Sequence, residues 1–254
     1  MAPQPRTFTF SAVSAAILAL ATLTLAGCGG SGSPVASTSS ARSTSPPAST
    51  ASASSSAGTN ATGEPAQAPP SGYQWVGIAK QHIWLAVPDS WVVINLNDMT
   101  ITQALERVQL KGMQPGTLRS AIEGLKKNNA LMAIDPASVT SSPNKFATNL
   151  NAYCLTSPVR PGPAVASSIA SSAKTEYAQL GGHVVAIGII SDTTSSVVVK
   201  IRVNLQTAAG QTVHEIQYIQ VTSQGEVCYT TFSTDRPAAY FPLFAHIAVT
   251  IHAG

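Results

Sequence analysis

The sequence predicts an α+β domain, an antiparallel β-sheet flanked by helices, preceded by a signal peptide and a disordered linker. Three features carry that expectation. Residues 29–72 are almost entirely Ser, Thr, Ala, Pro and Gly, whereas residues 73–254 contain apolar runs with strand and helix periodicity. In that second part, strand-like runs follow one another directly at both ends with helical spacing between them, the order of an α+β chain and not of a strict β-α alternation. In the clearest strand, Val197, Val199, Ile201, Val203 and Leu205 alternate with Val198, Lys200, Arg202, Asn204 and Gln206, so one face is buried and the other wet.

Residues 1–27 have the layout of a secretory signal, with Arg6 at the start and an uncharged, mostly apolar run from Phe10 to Leu25. The run is too short and too rich in Ala and Thr for a spanning helix of about 20 apolar residues. It ends in Leu25-Ala26-Gly27-Cys28, which resembles the bacterial lipoprotein box: an aliphatic residue, two small residues and a cysteine. The resemblance implies cleavage before Cys28, attachment of fatty acids such as palmitate through its thiol, and a place on the extracytoplasmic face of the cell membrane. Two acyl chains, at about 0.8 kcal/mol per buried methylene, make a stable anchor where one does not.

Residues 28–72 follow as a tether, with Arg42 and Glu64 the only charges and Val35 the only sizeable aliphatic. So little apolar surface does not offset the entropy of ordering. A flexible coil of this length, reaching about 5–6 Å times the square root of its residue number, holds the domain about 35–40 Å from the lipid.

Charged residues make up 10% of the chain and hydrophobic ones 44%; the formal charge of +3 drops by one when Arg6 leaves with the signal. With no Lys or Arg cluster, nucleic acid is not an expected partner. Once Cys28 carries lipid, Cys154 and Cys228 remain, an even pair in an exported protein, which favours a disulfide between them. Two separately buried thiols are the alternative.

Residues 73–254 form the folded domain. Tyr73 to Ala79, His82 to Val87 and Trp91 to Asn95 are the opening strands, with a turn at Pro88-Asp89-Ser90. Ile101, Leu105 and Val108 share one helical face, and Leu118, Ile122 and Leu125 another, with breaks at Gly112 and Pro115-Gly116. Leu131 to Ile134 and Asn149 to Leu155 return to strand. The longest helix carries Val165, Ile169, Ala173, Tyr177 and Leu180 and stops at Gly181-Gly182. Val184 to Ser191, Val197 to Leu205, His214 to Val221 and Val227 to Phe232 are then strands joined by tight turns at Ala209-Gly210 and Gln224-Gly225. Asp235 and Pro237 cap a last helix that turns Tyr240, Phe244, Ile247 and Ile251 inward.

Ile83-Trp84-Leu85-Ala86-Val87-Pro88 with Trp91, the Asn149-Leu150-Asn151 strand, the long middle helix and the meander closed by a helix together resemble the PsbP-like fold. More narrowly they resemble the LpqN/LpqT-type lipoproteins of mycobacteria and their actinobacterial relatives. The resemblance implies an antiparallel sheet flanked by helices and a role in the cell envelope as a binding or assembly module. It brings no catalytic residue set with it.

Catalytic motifs are missing: there is no G-x-S-x-G elbow, and the serines are densest in the tether. His214 and Glu215 are adjacent on a strand and point to opposite faces, and the remaining histidines are scattered. No metal and no cofactor is expected. Trp75, Trp84 and Trp91, crowded into the opening strands, are candidates to line a groove for a sugar or acyl chain, against the alternative of ordinary core. Lys200 and Arg202 are candidates to meet an anionic headgroup or carboxylate, against a solvated face. The expected function is non-catalytic binding of an envelope protein, lipid or glycan by a lipid-anchored domain. An envelope-acting enzyme of unrecognised type is the alternative, distinguished by a deep pocket with converging ionisable groups.

Overall fold

The computed structural model describes residues 63–107, 115–207 and 210–254. Leu25, Ala26, Gly27 and Cys28, most of the linker, and Val108, Gly112 and Ala209 lie outside the described residues.

The elements run β1 (Tyr73–Ile78), β2 (Ile83–Pro88), β3 (Val92–Asn95), α1 (Ile101–Arg107), α2 (Pro115–Lys127), β4 (Leu131–Ile134), α3 (Pro136–Ser141), β5 (Asn149–Thr156), α4 (Pro163–Gln179), β6 (Gly182–Asp192), β7 (Ser196–Gln206), β8 (Thr212–Thr222), β9 (Glu226–Thr234), α5 (Pro237–Ala248) and β10 (His252–Ala253). Seven strands form one sheet in the order β3-β4-β5-β9-β8-β7-β6, and three form a second in the order β1-β2-β10. Every pairing is antiparallel. This is the α+β arrangement that the alternation and the run order predict.

The large sheet is the middle layer. One of its faces is buried with Ile122 and Leu125 of α2, Ile169 and Tyr177 of α4 and the Val197-to-Leu205 row of β7. Its other face meets Ile83, Leu85 and Val87 of β2, Phe244 and Ile247 of α5, and Trp91. The sheet is thus covered on both sides, which explains why β4 and most of β5 are buried throughout.

The opening strands divide between the sheets: β1 and β2 pair with each other and β2 gains the C-terminal β10, while β3 pairs with β4. Two local readings are corrected. Asp235 does not cap α5, whose N-cap is Arg236 with no side-chain bond; Asp235 instead accepts from Ser142 Oγ at 2.5 Å and Asn144 Nδ2 at 3.1 Å. Ile251 lies beyond the helix, which ends at Ala248. The short α3 was invisible to periodicity, although its start is conventional: the Asp135 side chain accepts from Ala137 N, with Pro136 at the first helical position.

At Gly77 the two small-sheet strands approach so closely that an added Cβ would collide with the Ile83 carbonyl oxygen and the Trp84 ring. Gly77→Ala is expected to lower stability by about 1–3 kcal/mol, the usual cost of overpacking. Urea denaturation measures it, and an unchanged midpoint would contradict the close approach.

Cys154 and Cys228 stand directly opposite one another on β5 and β9 and are joined by a disulfide. Register brings the two sulfurs together: Cys154 pairs with Cys228 across the two strands, so the alternative of two separate thiols is set aside.

Candidate functional site

The helix side of the large sheet is apolar at both ends and polar in the middle. Strand pairing aligns three rows across β5, β9 and β8: Asn149, Ser233 and Glu215; then Asn151, Thr231 and Gln217; then Tyr153, Tyr229 and Ile219. Residues two apart on a strand share a face, so the rows form one continuous floor. None of these nine side chains is more than 6% exposed. On this side α4 lies against β6 and β7 and α1 against β3, and side chains of α2 and α4, Leu125 and Ile169 among them, fill the same core as the floor's tyrosines. Tyr177, fully buried, descends from α4 into the same core as Tyr153 and Tyr229.

Hydrogen bonds satisfy part of the floor. Ser233 Oγ donates to Glu215 Oε1 at 3.0 Å, and Gln217 Nε2 donates to Thr231 Oγ1 at 3.1 Å. Asn149 Nδ2 donates to the Ala147 carbonyl at 2.8 Å. Among the described residues eight buried polar side-chain atoms have no hydrogen-bond partner, and five of them belong to this side of the sheet: Asn149 Oδ1, Gln217 Oε1, the Tyr153 and Tyr177 hydroxyls, and Glu176 Oε2; the other three are Trp84 Nε1, Glu226 Oε2 and Asp235 Oδ1. Buried polar atoms of this kind are commonly met by ordered water.

Burial also governs the charges. It pushes the Glu215 carboxyl up to about 7, against the Ser233 hydrogen bond that pulls it down. Burial raises Tyr177 well above the ordinary tyrosine range, and the nearby Glu215 adds to the rise. Tyr229 is pushed up to about 12 by burial and then by Glu176. Tyr153 is raised by burial and by Tyr229, with which it stacks at 5.3 Å between ring centroids. The tyrosines therefore stay neutral, and below about pH 7 so does Glu215. What remains is an uncharged hydrogen-bonding surface beside an aromatic pair.

The candidates read from the sequence do not converge on this floor. Lys200 and Arg202 lie on the sheet's other face, where Lys200 Nζ sits 5.6 Å from the Tyr218 ring centre and the Arg202 guanidinium 5.1 Å from that of Phe241. Trp91 is buried core. Trp75 and Trp84 lie on the face of the small sheet turned away from the large one. There Trp75 Nε1 donates to the Gln67 carbonyl at 2.8 Å, and His252 meets the Trp75 ring edge-on. Trp75 thus contacts the tether near its end. Cys154, Cys228 and Glu226 offer ligand-type atoms within 4.8 Å of one another, but both sulfurs are bonded in the disulfide and are not thiolates.

No family model and no curated protein matches this chain. Among solved structures, it is similar to the solution structure of cyanobacterial PsbP (CyanoP) from Synechocystis sp. PCC 6803. Identity is 14%, over 72% of this chain and 93% of that one, with a TM-score of 0.40. No residue role is carried across at that identity.

A second surface lies at the sheet edge. Between α4 and β6 runs an open groove of about 750 Å³, lined by Ala170, Ser171, Val184, Ile187 and Ile189 with Lys174 at its side. Val185, Ile189 and Ile190 are 45%, 47% and 60% exposed. Register shifts beside Val185 and Ile190 interrupt the free edge, a feature that discourages further strand pairing.

The floor is not legible in the linear sequence because its residues come from three strands. The signal existed in fragments, as Asn-x-Asn in β5, Glu-x-Gln in β8 and Thr-x-Ser in β9. Each is a short polar alternation that reads alone as a wet face.

Proposed function

We propose that this chain is a lipid-anchored lipoprotein of the bacterial cell envelope, of the LpqN/LpqT type. In this reading its extracytoplasmic domain is a non-catalytic binding module for an envelope protein, lipid or glycan. The single observation that supports the binding role is the open groove between α4 and β6, where Val185, Ile189 and Ile190 are exposed beside Lys174. The Leu25-Ala26-Gly27-Cys28 box supports the anchor, and the Ser- and Ala-rich tether supports a domain held off the membrane. Nucleic acid has no place in this reading.

The anchor has a direct test. Cys28→Ala is expected to move the protein from the membrane fraction to the soluble fraction or the medium, with loss of incorporated labelled palmitate. Unchanged membrane association and an unmodified N-terminus in the wild type would rule the anchor out.

Glu215 favours a second reading, an envelope-acting enzyme, since a carboxyl that titrates near 7 suits a proton donor at neutral pH. Turnover of an envelope glycan or ester that disappears in Glu215→Gln would establish it over the binding module.

A further inference from the structure

We infer that reduction of the Cys154–Cys228 bridge opens a zinc site whose protein ligands are the two cysteine sulfurs and the Glu226 carboxylate. Strand register builds it. Cys154 on β5 faces Cys228 on β9, and Glu226, two residues before Cys228, shares its face of the strand. The two sulfurs and a Glu226 carboxylate oxygen lie within 4.8 Å of one another. Ligand atoms around a tetrahedral zinc ion stand about 3.3–3.8 Å apart, so once the S–S bond is broken the three need only short movements to surround it. A path from solvent exists at the same place. The Glu226 side chain is 14% exposed and that of His82, beside it, 52%. His82 Nδ1 stands 3.2 Å from Glu226 Oε1, the hydrogen-bonded neighbour that a ligating carboxylate ordinarily has. Gln81 Oε1 accepts from Cys154 N at 2.7 Å, which fixes this turn over the site.

The chemistry runs in two steps. A dithiol gives up two electrons and two protons, which make the thiols of Cys154 and Cys228 as the S–S bond breaks, and it leaves as its own disulfide. A zinc ion then displaces both thiol protons to the solvent and takes the two thiolates and Glu226, with water in the fourth position. Two thiolates beside one carboxylate suit zinc and not calcium or magnesium, which take oxygen ligands. In the oxidised protein neither sulfur is free to ligate. The bridge and the ion are therefore alternative pins between the same two strands, and the thiol–disulfide balance of the compartment selects between them.

The test uses the full chain in a mild detergent, with Cys28→Ala to remove the one cysteine outside the pair. One sample is kept oxidised; the other is reduced by a dithiol in mild urea and desalted without oxygen. Zinc is titrated into both by calorimetry, cobalt(II) replaces it for absorption spectra, and melting is followed by circular dichroism. The expected result is one zinc ion per reduced chain, with proton release, a sulfur-to-cobalt charge-transfer band, and a melting temperature raised by zinc in the reduced sample alone. Glu226→Gln, which keeps the side chain's shape, is expected to weaken zinc binding to the reduced chain about tenfold or more. The comparison of the two redox forms stands whether or not that variant folds. Equal zinc binding by both forms, or cobalt spectra without the sulfur band, would place the ion elsewhere and overturn the site. Zinc that leaves the reduced chain's melting temperature unchanged, or lowers it, would mean binding to the unfolded chain and would overturn it as well. Unchanged affinity in Glu226→Gln would remove the carboxylate from the ligand set, and a reduced chain that takes no zinc would overturn the inference outright.

Discussion

Removal of the Cys154–Cys228 bridge, by Cys154→Ala/Cys228→Ala or by a dithiol reductant, is expected to lower folding stability by about 4 kcal/mol in the chain-entropy description. The reason is the span of the loop. The bridge joins residues 74 apart, and the chain between them builds α4, β6, β7 and β8 before returning to β9. It also pins β5 to β9, the pairing that aligns Asn149 with Ser233 and Asn151 with Thr231. Both cysteines are buried, so reduction should be slow in the native state and accelerate in mild denaturant. Urea curves with and without reductant read the effect. Coincident midpoints would mean that strand pairing alone holds the register.

Glu215→Gln should raise stability at pH 8 by about 3 kcal/mol and leave it nearly unchanged at pH 4, at about 1.4 kcal/mol per unit of pKa difference. The sign follows from burial. In the unfolded chain the carboxyl titrates at its ordinary 4.5, whereas in the folded protein burial lifts it to about 7. The folded state therefore holds the proton more tightly. The stability associated with the protonated form is complete below about 4.5, declines as pH rises towards 7, and is lost above it. The groups that face Glu215 are Ser233 on β9 and Tyr177 on α4. Neither titrates in that window; His214 and His252, both lowered by burial, lie elsewhere, Glu176, raised by burial, stands near Tyr177, and all three contribute their own slopes. The difference between wild type and Glu215→Gln isolates the one carboxyl. Parallel stability profiles from pH 4 to pH 8 would show that the floor is more hydrated than its burial indicates.

Both effects trace to side chains whose importance the linear chain showed unevenly. The cysteine pair was legible by parity, since reading Cys28 as the lipid site leaves Cys154 and Cys228 as an even pair. Their facing positions were not, because register between β5 and β9 depends on how β8 and β4 pair on either side. The valine row of β7 showed its buried face plainly and the structure keeps it. Trp75, Trp84 and Trp91 suggested a common groove through closeness in sequence. Alternation in β1 and β2 sends Trp75 and Trp84 to the outside of the small sheet, while Trp91 enters the core. Lys200 and Arg202 do share a wet face, and that face is the one opposite the floor.

Periodicity along the chain was enough to establish an α+β class, most strand and helix positions, the inward face of each long strand, and a polar leader quite unlike the domain behind it. It could not say which strands become neighbours. A period of two records that Asn149, Glu215 and Ser233 lie on some face of their strands, but not that these faces coincide, because pairing partners are chosen by long-range packing and loop closure. Folding brings three unremarkable polar alternations side by side beneath an aromatic helix residue. Their burial there joins ordinary amides, hydroxyls and a carboxyl into one polar layer inside the core.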